Sequence, residues 1–379
     1  MNDSSMAPLR SWLAAPLDRD VSEALGRIRC APDVQHVAVM PDVHLAAEVC
    51  IGVVVATSHL IYPQAVGGDI GCGMLAVAVD VEASALKNPK TAAQLLNEIG
   101  RAVPSRRHNR NAIIPQPAEI ASDPLSHARL EAIRQREGEL EFATLGSGNH
   151  FLEMQADEED RLWLMVHSGS RALGQVIRDH HLARGQPVEG RLLALDAESD
   201  TGKEYLHDAL WARQFAAASR KAMAEETGKV LARTLKCSIG WDTMIAIDHN
   251  HVALEHHGER ELWVHRKGAM SAQQGQLGVL PGSMGSPSFH VEGRGCEDAL
   301  CSSAHGAGRA LSRGAARSKF SERELRRQME GVWHDYRLTD KLRDEAPAAY
   351  KDIRAVLKAQ RELVKVIRTL RPVLNYKGT

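Results

Sequence analysis

The segment Val66-Gly67-Gly68-Asp69-Ile70-Gly71-Cys72-Gly73-Met74-Leu75-Ala76-Val77-Ala78-Val79 changes character at its midpoint. The first half is too rich in glycine to be helical and carries a carboxylate and a thiol three residues apart. The second half is an unbroken apolar run of strand length, the pattern of a strand buried on both faces. The same pairing of strand and reactive turn recurs outward from this segment. Val37-Ala38-Val39-Met40 runs into Pro41-Asp42-Val43-His44, Ile51-Gly52-Val53-Val54-Val55-Ala56 follows, and Leu162-Trp163-Leu164-Met165-Val166 runs into His167. A histidine at the end of a strand stands where catalytic loops emerge.

Helical signals lie between and after these strands. A helix is predicted over about 90–102, followed by a basic loop at about 101–112 that carries Arg101, Arg106, Arg107, His108 and Arg110. Tyr205, Leu206, Ala209, Leu210, Phe215, Ala216, Met223, Val230, Leu231 and Leu235 recur at helical spacing, so one or two core-facing helices occupy about 203–235. Ser321-Glu322-Arg323-Glu324 is a capping box, with Phe320 and Leu325 placed as a hydrophobic staple. A last helix is expected to carry Ile353, Val356, Leu357, Leu363, Val364, Ile367 and Leu370 on one face and to stop at Pro372, so the C-terminal helices span about 321–370. No repeat, linker or break in composition divides the chain, which favours one large domain with loop insertions.

The 379 residues, 44% of them hydrophobic, are enough for a large core. Lys plus Arg, 47, nearly cancels Asp plus Glu, 48, so there is no global basic field and any nucleic-acid contact is local. The six cysteines form no C-x-x-C pair, which points to reduced thiols in a cytosol. The apolar runs are too short to span a bilayer, and Met1 to Arg10 lacks an apolar signal core. A soluble cytoplasmic protein is expected.

Six islands in the chain combine flexible backbone with a reactive side chain. Besides the two around Asp42 and Asp69, they are Gly146-Ser147-Gly148-Asn149-His150, His167-Ser168-Gly169-Ser170-Arg171, Asp248-His249-Asn250 and His305-Gly306-Ala307-Gly308-Arg309. Asp69, Cys72, His150, His167 and His249 make a mixed soft and hard donor set, unlike the oxygen sites of Mg²⁺ and unlike four-ligand structural zinc. Mn²⁺, Zn²⁺, Fe²⁺ or Co²⁺ would suit it. Five donors shared by two ions leave positions open for phosphate oxygens, whereas one ion would be closed off. The His305 island differs in kind: small residues expose backbone N–H groups, and Arg309 offers a guanidinium to an anion, so it reads as a phosphate site with an imidazole in attacking range. Leu280-Pro281-Gly282-Ser283-Met284-Gly285-Ser286-Pro287-Ser288 supplies hydroxyls and amides for a second phosphate or a ribose. There is no P-loop, no Lys-x-Asp-Gly element, no Gly-x-Ser-x-Gly elbow and no H-E-x-x-H.

Taken together the islands resemble the RtcB family of RNA ligases, over nearly the whole chain from Met40 to Lys377-Gly378. His265-Arg266-Lys267-Gly268-Ala269 and Arg371-Pro372 add to the likeness. The fold this implies is α+β: a single large domain, residues 1–379, of mixed β-sheets flanked by helices, with a helical C-terminal region. The activity it implies is the GTP- and Mn²⁺-dependent joining of RNA 2′,3′-cyclic phosphate or 3′-phosphate ends to 5′-hydroxyl ends. By the resemblance, one Mn²⁺ would be held by Cys72, His167 and His249, and the other by Asp69, Cys72 and His150. His305 would attack the α-phosphorus of GTP to form His-GMP, with Asp42 orienting it. Arg171 would meet the RNA-end phosphate and Arg309 the transferred phosphoryl group. The nucleotide pocket would use Asn149, His150, Phe151, Leu152, Glu153, His249, Asn250, Pro281, Gly282, Ser283, Met284, Ser288, His305, Gly306, Ala307, Gly308 and Lys377, with Glu153 at the guanine edge. RNA ends are the implied partners, an archease-like activator is a candidate one, and a monomer is expected.

The chain departs from the family pattern just after the first island. Ala46 and Glu48 stand where the family has glycines, and Phe289-His290-Val291 replaces a Ser-Tyr pattern. Glu48 adds negative charge near the expected RNA path. That motivates an alternative, an RNA end-repair enzyme that caps 3′-phosphates with GMP or processes cyclic phosphates but seals weakly.

Overall fold

A computed structural model describes residues 6–378; the first five residues of the Met1–Arg10 stretch lie outside the described residues. Two sheets dominate. One has seven strands in the order Ile239–Asp248, Gly73–Glu82, Arg161–Ser168, Phe151–Ala156, Val364–Lys377, Ser288–Gly293 and Leu277–Leu280. The other has five, in the order Leu9–Ser11, Val34–His44, Ile51–Thr57, Arg260–Lys267 and Asn250–His257.

Two of the predicted apolar strands, Gly73–Glu82 and Ile51–Thr57, are buried on both faces over most of their length, and their alternation shows why. Leu75, Val77 and Val79 point into a core shared with the helices, while Met74 and Ala76 point the other way. Across from them, Val54 and Ala56 enter that same second core, and Val53 and Val55 pack outward against the helix Arg19–Arg29. The result is four layers: helices, seven-stranded sheet, five-stranded sheet, helix. These two strands have no polar face to show, which explains runs without alternation in sheets that are mainly antiparallel.

The helical layer contains Pro89–Ala102, Arg171–Leu182 and Asp200–Thr234. The last is one unbroken helix of 35 residues, started by Ser199, whose Oγ accepts from the Gly202 N–H at 3.1 Å. The capping box at Ser321 forms as read: Glu324 N–H donates to Ser321 Oγ at 3.3 Å, and Ser321 N–H donates to Glu324 Oε2 at 2.8 Å. Phe320 and Leu325 are buried in one cluster beside it.

The final predicted helix is corrected. Only Ile353–Ala359 is helical; from Val364 the chain is a 14-residue strand through Lys377, paired with Phe151–Ala156 on one side and Ser288–Gly293 on the other. Val364, Val366, Ile367 and Val373 are β-branched and favour the pleated conformation. Pro372 does not end a helix. It sits at a register irregularity of the ladder, where its missing N–H is tolerated. This strand is what carries Lys377 to the site.

Candidate active site

One end of the seven-stranded sheet gathers the reactive residues, because its neighbouring strands run in opposite directions. Gly73 begins a strand opposite Ser168, and Met74 opposite His167; Phe151 begins one opposite both His167 and Lys377; Asp248 ends one opposite Gly73. Cys72, His150, His167, His249 and Lys377 therefore converge from strand starts and strand ends alike. None needs its neighbours in sequence.

The donors meet at contact distance. Cys72 Sγ lies 3.2 Å from His167 Nε2 and 3.4 Å from His150 Nε2, and His150 Nε2 lies 2.8 Å from Asp69 Oδ2. Cys72, His167 and His249 form one group with all donor atoms within 4.8 Å of one another; Asp69, Cys72 and His150 form a second, so Cys72 belongs to both. The His167 ring is fixed from behind by the Asn149 carbonyl, 3.1 Å from Nδ1, which leaves Nε2 for the centre. Burial, reinforced by neighbouring imidazoles, keeps His167 and His249 well below the usual histidine range, so both are neutral. Burial would raise the Asp69 carboxyl, but the charge and hydrogen bonds of His150 and Cys72 outweigh it and the net shift is downward. The Cys72 thiol is pushed well above its ordinary value by burial and then by Asp69. Neutral imidazoles, an ionised carboxylate and a thiol that would lose its proton to a cation are donors that could hold divalent metal ions.

His305 follows the short strand Ser302–Ala304, which pairs with Ala269–Ser271 between the large sheets. His305 Nδ1 lies 2.7 Å from Oδ2 of Asp42, whose side chain is fully buried, and the His305 backbone N–H donates to the same oxygen at 3.2 Å. The ring stands 4.7 Å, centroid to centroid, from His249, so the nucleophile candidate adjoins the donor cluster. This approach depends on Gly308. It has φ +72°, and a Cβ there would lie 2.3 Å from the Asp42 carbonyl oxygen. Gly169 has the same function for the donors, since its Cβ would stand 2.1 Å from Asp69 Oδ1.

A cavity of about 770 Å³ opens beside His305. Its wall includes Asn149, Phe151, Glu153, Pro281, Gly282, Ser283, Met284, Ser288, Gly306, Ala307, Gly308 and Lys377, all named from sequence. The volume suits a nucleotide.

A family model described as tRNA-splicing ligase RtcB matches residues 25–378. The chain belongs to the RtcB family. It is 37% identical to the RNA-splicing ligase RtcB1 of Escherichia coli, with 98% of each chain covered. It is 29% identical to the tRNA-splicing ligase RtcB of Nanoarchaeum equitans, with 95% of this chain and 92% of the relative covered, and 28% identical to the RNA-splicing ligase RtcB of Mycobacterium tuberculosis, with 89% and 96% covered.

Some residues named from sequence in this RtcB-family enzyme stand away from the cavity or are engaged by other protein groups. Leu152 alternates to the far side of its strand, into the helix-side core. Asn250 ties loops together: its Nδ2 donates to the Asp69 carbonyl at 3.0 Å, and its Oδ1 accepts from Gly268 N–H at 2.8 Å. Arg171 has φ +60° and lies by the donor cluster, with Nε donating to Thr144 Oγ1 at 3.2 Å. Arg309 is directed along the wall toward Glu345 Oε1 at 3.1 Å and the Asp344 carbonyl at 2.7 Å, over the Tyr350 ring. Its guanidinium is already satisfied by protein partners.

Glu345, not singled out from sequence, organises that wall. It is buried and takes Arg309, Arg313 at 2.6 Å and Lys377 at 2.7 Å. Burial would raise its carboxyl, but Lys377 and Arg313 hold it below the usual range. Lys351, in Tyr350-Lys351-Asp352-Ile353, carries no motif that marks it in sequence. It lies just before the last helix and lines the cavity, where Nζ donates to the carbonyls of Pro41 at 3.2 Å and Val43 at 2.5 Å, on either side of Asp42. Arg220, in the helix read as core only, is 2% exposed and donates to the carbonyls of Gly71 at 2.7 Å and Ser168 at 2.8 Å. A cationic residue at a core position of an apolar helix is a signal that sequence does carry.

Proposed function

We propose that this enzyme is an RNA ligase joining 2′,3′-cyclic phosphate or 3′-phosphate ends to 5′-hydroxyl ends at the expense of GTP, through a GMP adduct on His305. The observation that carries the reading is His305 at the cavity wall with Nδ1 2.7 Å from the fully buried Asp42 carboxylate. An imidazole attacks through one nitrogen only when the other gives up or shares its proton, and a carboxylate on Nδ1 leaves Nε2 free for phosphorus.

The residues present fit two Mn²⁺ ions, one at Cys72, His167 and His249 and one at Asp69, Cys72 and His150. When bound, the ions would neutralise phosphate charge and polarise phosphoryl oxygens. The chain's own residues do the rest. Lys377 and Arg313, gathered by Glu345, give the cavity a cationic wall for a triphosphate. Lys351 holds the backbone on both sides of Asp42. Glu153 is buried at the cavity and contacted by Gln155 and Asn375, each at 2.6 Å, a position suited to the guanine edge. His305 Nε2 attacks the α-phosphorus, pyrophosphate leaves, and the Nδ1 proton stays with Asp42 as partner. GMP then passes to the RNA 3′-phosphate, and the 5′-hydroxyl displaces it. Arg171, beside the donor cluster, is placed for the RNA-end phosphate.

The catalytic unit is the whole chain, acting as a cytoplasmic monomer, with an archease-like protein as a candidate activator. Among the described residues no helix is long and apolar enough to cross a membrane. The test is incubation with labelled GTP and Mn²⁺: wild type acquires covalent label and His305→Ala does not. Unlabelled wild-type protein would refute the adduct. With RNA bearing a 3′-phosphate and a 5′-hydroxyl, sealed product supports the ligase, and capped, unsealed product supports end repair.

A further inference from the structure

A second His/Cys/carboxylate cluster lies away from the active site. His257 is the last residue of the strand Asn250–His257, seven residues from Asn250, and is thus about 23 Å along the strand from the catalytic end. Its Nδ1 is 3.1 Å from Glu297 Oε2. Cys301 Sγ is 3.6 Å from the other oxygen of the same carboxylate. The donor atoms of His257, Glu297 and Cys301 all lie within 4.8 Å of one another, the same convergence shown by the two catalytic groups.

The surroundings resemble those of a ligand set more than those of an ordinary surface ion pair. Cys301 is 2% exposed and His257 6%, while the Glu297 side chain is 65% exposed, so two donors are held in the protein and the third faces solvent, from which an ion enters. Behind the ring, His257 Nε2 is 3.3 Å from Glu255 Oε2. Glu255 is in turn anchored by the guanidinium of fully buried Arg266. A carboxylate on the far nitrogen fixes the ring and raises the basicity of the near one, the arrangement found behind metal-bound histidines.

We propose that His257, Glu297 and Cys301 form a third, separate metal site that takes Zn²⁺. One thiolate, one imidazole and one carboxylate suit a four-coordinate borderline ion such as Zn²⁺, with water from the exposed side as the fourth ligand, and disfavour Mg²⁺, which prefers oxygen donors alone. The ion would join the end of an edge strand to the turn that opens the Ser302–Ala304 strand, four residues before His305. Arg266 ties the two together, since its Nε donates to Ser302 Oγ at 2.9 Å. The ion therefore acts as a structural clamp on the segment that delivers the nucleophile.

The test uses Co²⁺ as a spectroscopic stand-in for Zn²⁺, in full-length Cys72→Ser protein, whose catalytic centre has lost its thiolate. One equivalent of Co²⁺ is expected to produce thiolate-to-cobalt charge-transfer absorption, displaced by one equivalent of Zn²⁺ and absent from Cys72→Ser/Cys301→Ser. Glu297→Gln in the Cys72→Ser background changes an exposed side chain and leaves the fold intact. It should weaken Co²⁺ binding at least about tenfold. The proposal is overturned if Cys72→Ser shows no such absorption, if the absorption survives loss of Cys301, or if Glu297→Gln binds Co²⁺ as tightly as its parent. None of these readouts depends on GTP or RNA chemistry.

Discussion

Oδ2 of Asp42 accepts the backbone N–H of His305, at 3.2 Å, and lies 2.7 Å from Nδ1 of its ring. One carboxylate oxygen thus fixes where the His305 backbone lies and which ring nitrogen faces the cavity. Asp42→Ala should lower the rate of covalent GMP labelling by about 10²-fold or more, the scale of a lost proton-handling partner. Metal content, measured in the same preparations, should be unchanged. Labelling at the wild-type rate would remove Asp42 from this role.

The two catalytic donor groups share a thiol that burial keeps protonated in the metal-free protein. Ion binding must then release its proton, so apparent Mn²⁺ affinity should rise by up to about tenfold per pH unit between pH 6.5 and 7.5. Cys72→Ser should flatten the slope and lower the content of both ions. Calorimetric titration at the two pH values reads both effects.

Glu153 offers a separate pH signature. Burial, against the pull of Asn375, Gln155 and Lys377, raises its carboxyl from 4.5 to about 8. Between those values the unfolded chain has released a proton that the folded protein still holds, so stability falls as pH rises through the window, by up to about 5 kcal/mol if Glu153 acts alone. Urea unfolding of nucleotide-free protein at pH 6 and pH 8 spans part of that window and should show about half of this loss in wild type and a smaller one in Glu153→Gln. Equal slopes would place the ionisation elsewhere.

Arg220 joins the long helix to both catalytic loops through the Gly71 and Ser168 carbonyls. Arg220→Met keeps the bulk but leaves two buried acceptors without a donor, at about 1–3 kcal/mol each. The variant should unfold at lower urea and bind Mn²⁺ more weakly. Unchanged stability with unchanged metal content would show that the loops hold themselves.

Gly308→Ala should cripple guanylylation while sparing the donor cluster, because the new Cβ would collide with the Asp42 carbonyl and the residue would have to keep φ +72°. The labelling rate and Mn²⁺ content of one preparation separate these effects.

That the five candidate donors and His305 would gather was legible because each stands in a short glycine- or asparagine-marked turn. Chemistry and local conformation point the same way there. Glu345 and Lys351 were not, because their importance comes from partners 32 and 308 residues away in the chain; Arg220 shows in sequence only as a cation at a core position, and its partner lies 149 residues away. The C-terminal strand was misread for a different reason. Residues such as Val364, Ile367 and Leu370 satisfy a helical period by accident, and β-branching is the better guide where a sheet needs another member. Leu152 shows the limit of naming a contiguous stretch as a pocket, since a strand sends successive side chains to opposite faces.

The placement of the Val364–Lys377 strand also sets an order of assembly. All five donors precede residue 250, whereas Lys377 enters only when this strand slots between Phe151–Ala156 and Ser288–Gly293. On the ribosome, the cluster of five donors is therefore synthesised before the cavity wall that Lys377 joins. Until the last strand arrives, the Phe151 edge is an open seam in the middle of the sheet. A stalled or clipped chain would retain all five proposed ion donors yet lack Lys377 and the wall it completes, so under the proposed function it could take up ions without holding the nucleotide.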